Sequence, residues 1–133
     1  MNANTLIALA AVLVSPIGVW ATGSGADTGK VEIAPCGEAL CGRVIDAARL
    51  HIDPDQRDVR NHDPALRGRP IRGLTVLKDF AGGPPVWTGA EAYDPATGQG
   101  SKNVQLRLTS PDRLAIKGCV TIFCRTKVWT RAR

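Results

Sequence analysis

Asn103-Val-Gln-Leu-Arg-Leu-Thr109 alternates without a slip: Val104, Leu106 and Leu108 share one face, and Asn103, Gln105 and Arg107 share the other. A period of two is the pattern of a strand with one face buried and the other wet. Downstream, Ser110-Pro-Asp-Arg113 is a turn, and the pattern resumes over Leu114–Cys119 and Phe123–Arg131. Upstream, Tyr93-Asp-Pro95-Ala-Thr-Gly98 is a turn that ends a strand over Val86–Tyr93. Ala81-Gly-Gly-Pro-Pro85 breaks the chain before it, after a strand over Ile71–Lys78. Val31 and Ile33 alternate with Lys30 and Glu32, and Cys41–Asp46 is the return strand of that hairpin. Gly18–Thr22 is a candidate first strand, joined by the Gly-rich stretch 23–29.

Turn signals at this spacing give an all-β chain of about eight strands and no helix. Strands joined mostly by short turns close into a small antiparallel up-and-down barrel, which removes the unpaired edges. A two-sheet sandwich is the alternative. One exception interrupts the rhythm. Residues 49–70 form a single long polar loop punctuated by Asp53-Pro54, Asp63-Pro64 and Arg69-Pro70, which is turn chemistry.

Composition agrees. The 133 residues are 44% hydrophobic and 22% charged, which excludes a disordered chain, and 14 Gly with 9 Pro exclude long helices. The net charge of +5 is scattered rather than gathered into a basic arm, so nucleic acid is not an expected partner. No charged residue precedes Asp27, and Leu6–Val14 is an unbroken apolar run. A spanning helix needs about 18 such residues, so a transmembrane anchor is not expected. The run instead fits the core of a secretory signal. Residues 1–15 are assigned to a leader, with a cut after Ala21 as the alternative, and residues 16–133 to one barrel domain in the periplasm or outside the cell.

The cysteines form two identical spacings, Cys36-x4-Cys41 and Cys119-x4-Cys124. Four thiolates around zinc are one reading, at the edge of usual ligand spacing. With an export leader, two local disulfides are preferred among the three connectivities that four cysteines allow.

Catalytic motifs are absent: no Gly-x-Ser-x-Gly, no phosphate-binding glycine loop, no His-Glu-x-x-His. The densest polar constellation is the loop with Asp58, Asn61, Asp63, Arg67 and Arg69. Its carboxylates could cage calcium, but the interleaved arginines would repel a cation. His51 and His62 lie near no nucleophile in sequence, which weighs against a hydrolase. The preferred role is a charge-assisted network pinning the loop to the barrel. Trp20, Trp87 and Trp129 fall on three strands, where they either fill the barrel or line a cavity.

Several blocks follow one another in a familiar order: Pro16-Ile-Gly-Val-Trp20-Ala-Thr22, Val31-Glu-Ile33, Cys36-Gly…Leu40-Cys-Gly-Arg43, Asp58-x-x-Asn61-x-Asp63-Pro-x-Leu66-Arg67-x-Arg69-Pro70-x-x-Gly73-Leu74, Tyr93-Asp-Pro95-x-x-Gly98 and Trp129-Thr-Arg131. From Pro16 to Arg131 the chain resembles the bacterial domain-of-unknown-function family 2147. The resemblance implies an exported envelope protein and supplies no catalytic residues. Gly18-x-Trp20 with Arg131 is also similar to the calycin arrangement, in which a basic residue of the last strand packs over a first-strand tryptophan.

The expected function is a non-enzymatic binding module, a calycin-like barrel holding a small apolar or amphipathic ligand against Trp20, Trp87, Tyr93, Trp129 and Arg131. No metal and no cofactor is expected, and the sequence sets no oligomeric state. The rival is an envelope interaction protein whose basic C-terminal residues Arg125, Lys127, Arg131 and Arg133 meet a protein partner or an acidic envelope polymer.

Overall fold

Eight strands wind antiparallel, each beside its neighbour in sequence, until the last pairs with the first. The structure is a computed structural model that describes residues 15–23 and 28–132. The strands are β1 (Gly18–Ala21), β2 (Gly29–Cys36), β3 (Ala39–Ala47), β4 (Thr75–Gly82), β5 (Val86–Asp94), β6 (Gln99–Ser110), β7 (Arg113–Val120) and β8 (Phe123–Arg131). The result is a closed up-and-down barrel, as the alternation implies. Residues 1–14, which hold most of the expected leader, lie outside the described residues, as do 24–27 and Arg133.

Val104, Leu106 and Leu108 of β6 are buried, and their register partner on β7 for Leu108 is the equally buried Leu114. Leu114 in turn lies opposite Trp129. Inward residues from the strands merge into one cluster that includes Trp20, Ile33, Leu77, Phe80 and Trp87. The side chains of the barrel therefore fill its interior, as expected when a ring of about eight strands is just wide enough for side chains.

Several boundaries differ from the sequence reading, β4 for instance running on from Lys78 to Gly82. The strand expected at Ile71 starts at Thr75. Gly73 adopts φ 85° and turns the chain there, while Ile71 packs on the core as a loop residue. β6 begins at Gln99, four residues before its apolar alternation. The loop expected over 49–70 opens with a helical turn, α1 (Ala48–Ile52), and runs on to residue 74. Nothing caps the N-terminus of α1 through a side chain, so it carries no local helix signal. Burial of Leu50 at 2% exposure holds it in place. No helix among the described residues is long and apolar enough to cross a membrane.

An up-and-down barrel has two ends. The turns β2–β3, β4–β5 and β6–β7 lie at one, together with Ser15–Ile17, and we call it the latch end. The other connections, including the long segment 53–74 between α1 and β4, lie at what we call the strap end. Cys36–Cys41 staples the first and Cys119–Cys124 the second. The local pairing is thus the one adopted, with the two bridges at opposite ends of the barrel.

Candidate functional site

The strap is tied to itself before it is tied to the barrel. Its limbs meet at the bridge Arg57–Pro70, where Asp58 N donates to Arg69 O (2.8 Å) and Ile71 N to Gln56 O (3.0 Å). Between them Asp63 caps a single 3-10 turn, Pro64–Leu66, by accepting from Ala65 N at 3.0 Å. Pro64 suits that turn, since its fixed φ is pre-set for a first helical position and the missing N–H would have been unpaired. Asn61 Oδ1 accepts from Asp63 N (2.8 Å), and Arg67 Nε donates to Asn61 O (2.8 Å).

Asp58 joins this assembly to the barrel wall. Its side chain is 0% exposed. Oδ1 accepts from the hydroxyl of Tyr93, on β5, at 2.6 Å. Oδ2 accepts from Asn61 Nδ2 at 2.9 Å and from Arg69 Nη2 at 3.0 Å. The Arg69 guanidinium also lies 6.0 Å from the centre of the Tyr93 ring. Burial alone would raise the Asp58 carboxyl. Hydrogen bonds from Tyr93, Asn61 and Arg69, with the Arg69 charge, outweigh it and hold the group below its ordinary 3.8. Tyr93 is the complement: burial first, then the bond to Asp58 and its negative charge, push the phenol up to about 12.

Gly98 completes the seat. It adopts φ 78°, and a Cβ there would run into the Arg60 carbonyl. Arg60 itself donates from Nη1 to Ala96 O in the same β5–β6 turn. The five loop residues singled out in the sequence, Asp58, Asn61, Asp63, Arg67 and Arg69, are therefore brought together as one network, and Tyr93 joins them. Both carboxylate oxygens of Asp58 are thus engaged by donors from the strap and from the wall.

The latch end is built around Arg131. Its guanidinium lies 4.3 Å from the centre of the Trp20 ring. Nη1 donates to Ile17 O (3.0 Å), Nη2 to Ser15 O (2.8 Å) and Nε to Pro111 O (2.9 Å). Trp20 Nε1 donates to Pro16 O at 2.8 Å. Gly18 is required here, because at φ 137° a Cβ would come within 2.8 Å of Arg131 Nη1. Arg131 thus leaves the basic C-terminal cluster and acts as a closure. Arg125 and Lys127 remain exposed on β8, with Lys127 Nζ 3.4 Å from Asp94 Oδ2.

Trp20, Trp87 and Trp129 all lie within the packed interior, and Trp87 meets Phe80 edge-on at 6.4 Å. Two concavities lie on the outside. A groove of about 310 Å³ at the strap end is lined by Arg69, Pro70, Arg72, Gly73, Leu74 and Thr75. A depression of about 180 Å³ on the outer wall is lined by Gln105, Arg107, Ala115, Lys117 and Thr126. Arg69 Nε is buried without a hydrogen-bond partner, and Arg72 Nη1 donates to Ile45 O at 2.8 Å. The sequence reading did not single out Arg72; its proximity to the Arg69-Pro70-x-x-Gly73 block was the available signal. His51 pairs with Asp46 at 2.9 Å on the surface, and that bond, with the Ala47 N–H, lowers the Asp46 carboxyl.

The model of a family described as an uncharacterized protein conserved in bacteria, DUF2147, matches residues 18–131. A solved protein of the human pathogen Helicobacter pylori, described as belonging to the lipocalin family, has the same fold with a TM-score of 0.77. It is 21% identical, over 90% of this chain and 84% of that one. No curated protein matches the chain.

Proposed function

This chain belongs to the DUF2147 family of uncharacterized proteins conserved in bacteria, and from that premise we propose a non-enzymatic binding module that takes a small anionic amphiphile at the strap end of its barrel. Barrels of this size hold one small ligand or are filled by their own side chains. Here Trp20, Ile33, Phe80, Trp87 and Leu106 fill the interior, so the ligand sits at the rim. The observation that carries the reading is the groove beside Leu74, in which Arg69 and Arg72 stand together and Arg69 Nε has no partner. Two guanidiniums suit a carboxylate or phosphate head, and Leu74 and Pro70 offer apolar surface to its chain.

Export is part of the proposal. The apolar run Leu6–Val14 supports a leader within residues 1–15, and the two disulfides support folding in an oxidising compartment such as the periplasm. The test is calorimetric titration with dodecanoate. One-to-one binding that Arg72→Gln weakens about tenfold, with the fold retained and only the exposed bond to Ile45 O lost, is expected for the loss of one charge-assisted contact. No heat at millimolar ligand, together with a bare mass in native mass spectrometry, would overturn it.

Arg107 and Lys117 in the outer depression favour a second reading, a surface that meets an acidic polymer or protein. Binding there weakens steeply with added salt, because exposed charges are screened.

A further inference from the structure

The end of the β7–β8 hairpin leaves the pairing of the wall, since β6 pairs with β7 only as far as Gln105↔Lys117. Among the described residues β1 pairs with β8 only at Trp20↔Arg131 and Ala21↔Thr130, so the rest of β8 has no wall on that side. Phe123 through Val128 are all exposed. At the far end Val120 and Phe123 lie directly opposite each other, joined by the turn residues Thr121 and Ile122. Thr121 takes φ 56°, as tight two-residue turns demand. Val120, Ile122 and Phe123 are 70%, 86% and 75% exposed. Scattered apolar residues on a surface are ordinary, but an adjacent set at a projecting tip is not.

We propose that this tip is an interfacial anchor that inserts into an anionic lipid bilayer. Charge decides the occupant. From Arg113 to Arg131 the hairpin carries Arg113, Lys117, Arg125, Lys127 and Arg131 and not one Asp or Glu. Register puts Arg125 and Lys127 on the face shared with Phe123, opposite Gly118 and Ile116, while Lys117 faces the other way. The tip therefore has cations behind it on both faces. At about 3.3 Å per residue, Arg125 stands about 7 Å behind Phe123 and Lys117 about 10 Å behind Val120. Interfacial segments bury about 5–10 Å into the headgroup boundary, so the collar reaches lipid phosphates when the tip is in place. The Cys119–Cys124 bridge, immediately behind the tip, keeps its two strands together where β6 no longer pairs with them. A second copy of the chain is a poorer occupant, because it would bring Arg125 and Lys117 against their own kind.

The inference stands on residues separate from the Arg69–Arg72 groove. The test is sedimentation with vesicles of phosphatidylcholine alone and of phosphatidylcholine with one-quarter phosphatidylglycerol. Binding to the second and not the first is expected. Ile122→Ser with Phe123→Ser should lower it more than tenfold, and Arg125→Gln several-fold. Both positions of the double variant are exposed, so its thermal midpoint and its dodecanoate titration should match the parent. No vesicle binding at low salt, or equal binding by the double variant, overturns the proposal. So does a concentration-dependent dimer in gel filtration that the double variant abolishes, since the tip would then be a contact between copies.

Discussion

Each end of this barrel sets an arginine against an aromatic ring, and the two do so in different ways. At the latch end Arg131 lies close over Trp20 and gives its protons to backbone carbonyls at Ser15, Ile17 and Pro111. The Asp112 carboxylate stands 3.9 Å from Nε, at the limit of an ion pair, while the hydrogen bonds run to groups that every chain possesses. At the strap end Arg69 stands farther from Tyr93, and both aim at one buried carboxylate, Asp58. One end is closed by a cation over a ring, the other by an ion at the centre of a side-chain network. The first joins segments of the wall itself, while the second fastens an insertion to it. A mutation at the strap end should therefore release the strap and leave its remaining partners with unmet bonds.

Asp58→Ala should show the largest effect. It removes the acceptor of three hydrogen bonds inside the fold, and a loss of about 3 kcal/mol in urea unfolding is expected. The figure sits at the low end for a broken buried pair because Arg69 is 42% exposed and can return to water. Arg131→Ala should cost less, about 2 kcal/mol from the ring contact and the carbonyl bonds. Arg131→Lys should recover only part, since an ammonium cannot fork between carbonyls as a guanidinium does. An equal or larger loss at Arg131 would make the latch, not the strap, the greater constraint.

The pH response separates the ends without mutation. The folded pKa of Asp58 lies below 3.8, so its contribution is full above the unfolded value and is lost as pH falls through it. Tyr93 works in the opposite direction. Its folded pKa is about 12 against an ordinary 10.0, so its contribution is present below pH 10 and lost as pH rises toward 12. Tyr93 is the chain's single tyrosine, so the phenolate absorbance reports this site alone. The folded protein should titrate near pH 12, the unfolded chain near 10, and Asp58→Ala in between. A folded-state midpoint near 10 would mean that Tyr93 is not bonded to Asp58.

Legibility in the sequence followed the core. β8 begins and ends where the pattern places it, at Phe123 and Arg131, and Val104, Leu106 and Leu108 point inward as read. Where strands leave the core, the signal stops: Gln99–Lys102 continue β6 with polar side chains because nothing at the rim requires apolar ones. The five-residue α1 has no cap and a single buried anchor, so nothing local announces it. In the site, the loop partners of Asp58 were readable because they are close in sequence. The part played by Tyr93 is not legible there, because its bond to Asp58 spans 35 residues and only the fold brings the two together.

The Arg131 latch also sets an order in time. It binds carbonyls 114 and 116 residues earlier in the chain, at Ile17 and Ser15. Contacts of such separation come late in folding, after the local hairpins. While the chain is being made, β1 therefore waits without its second partner until Arg131 emerges. The barrel therefore stays an open ribbon until its last strand is complete, and its closure reports that the whole wall is present.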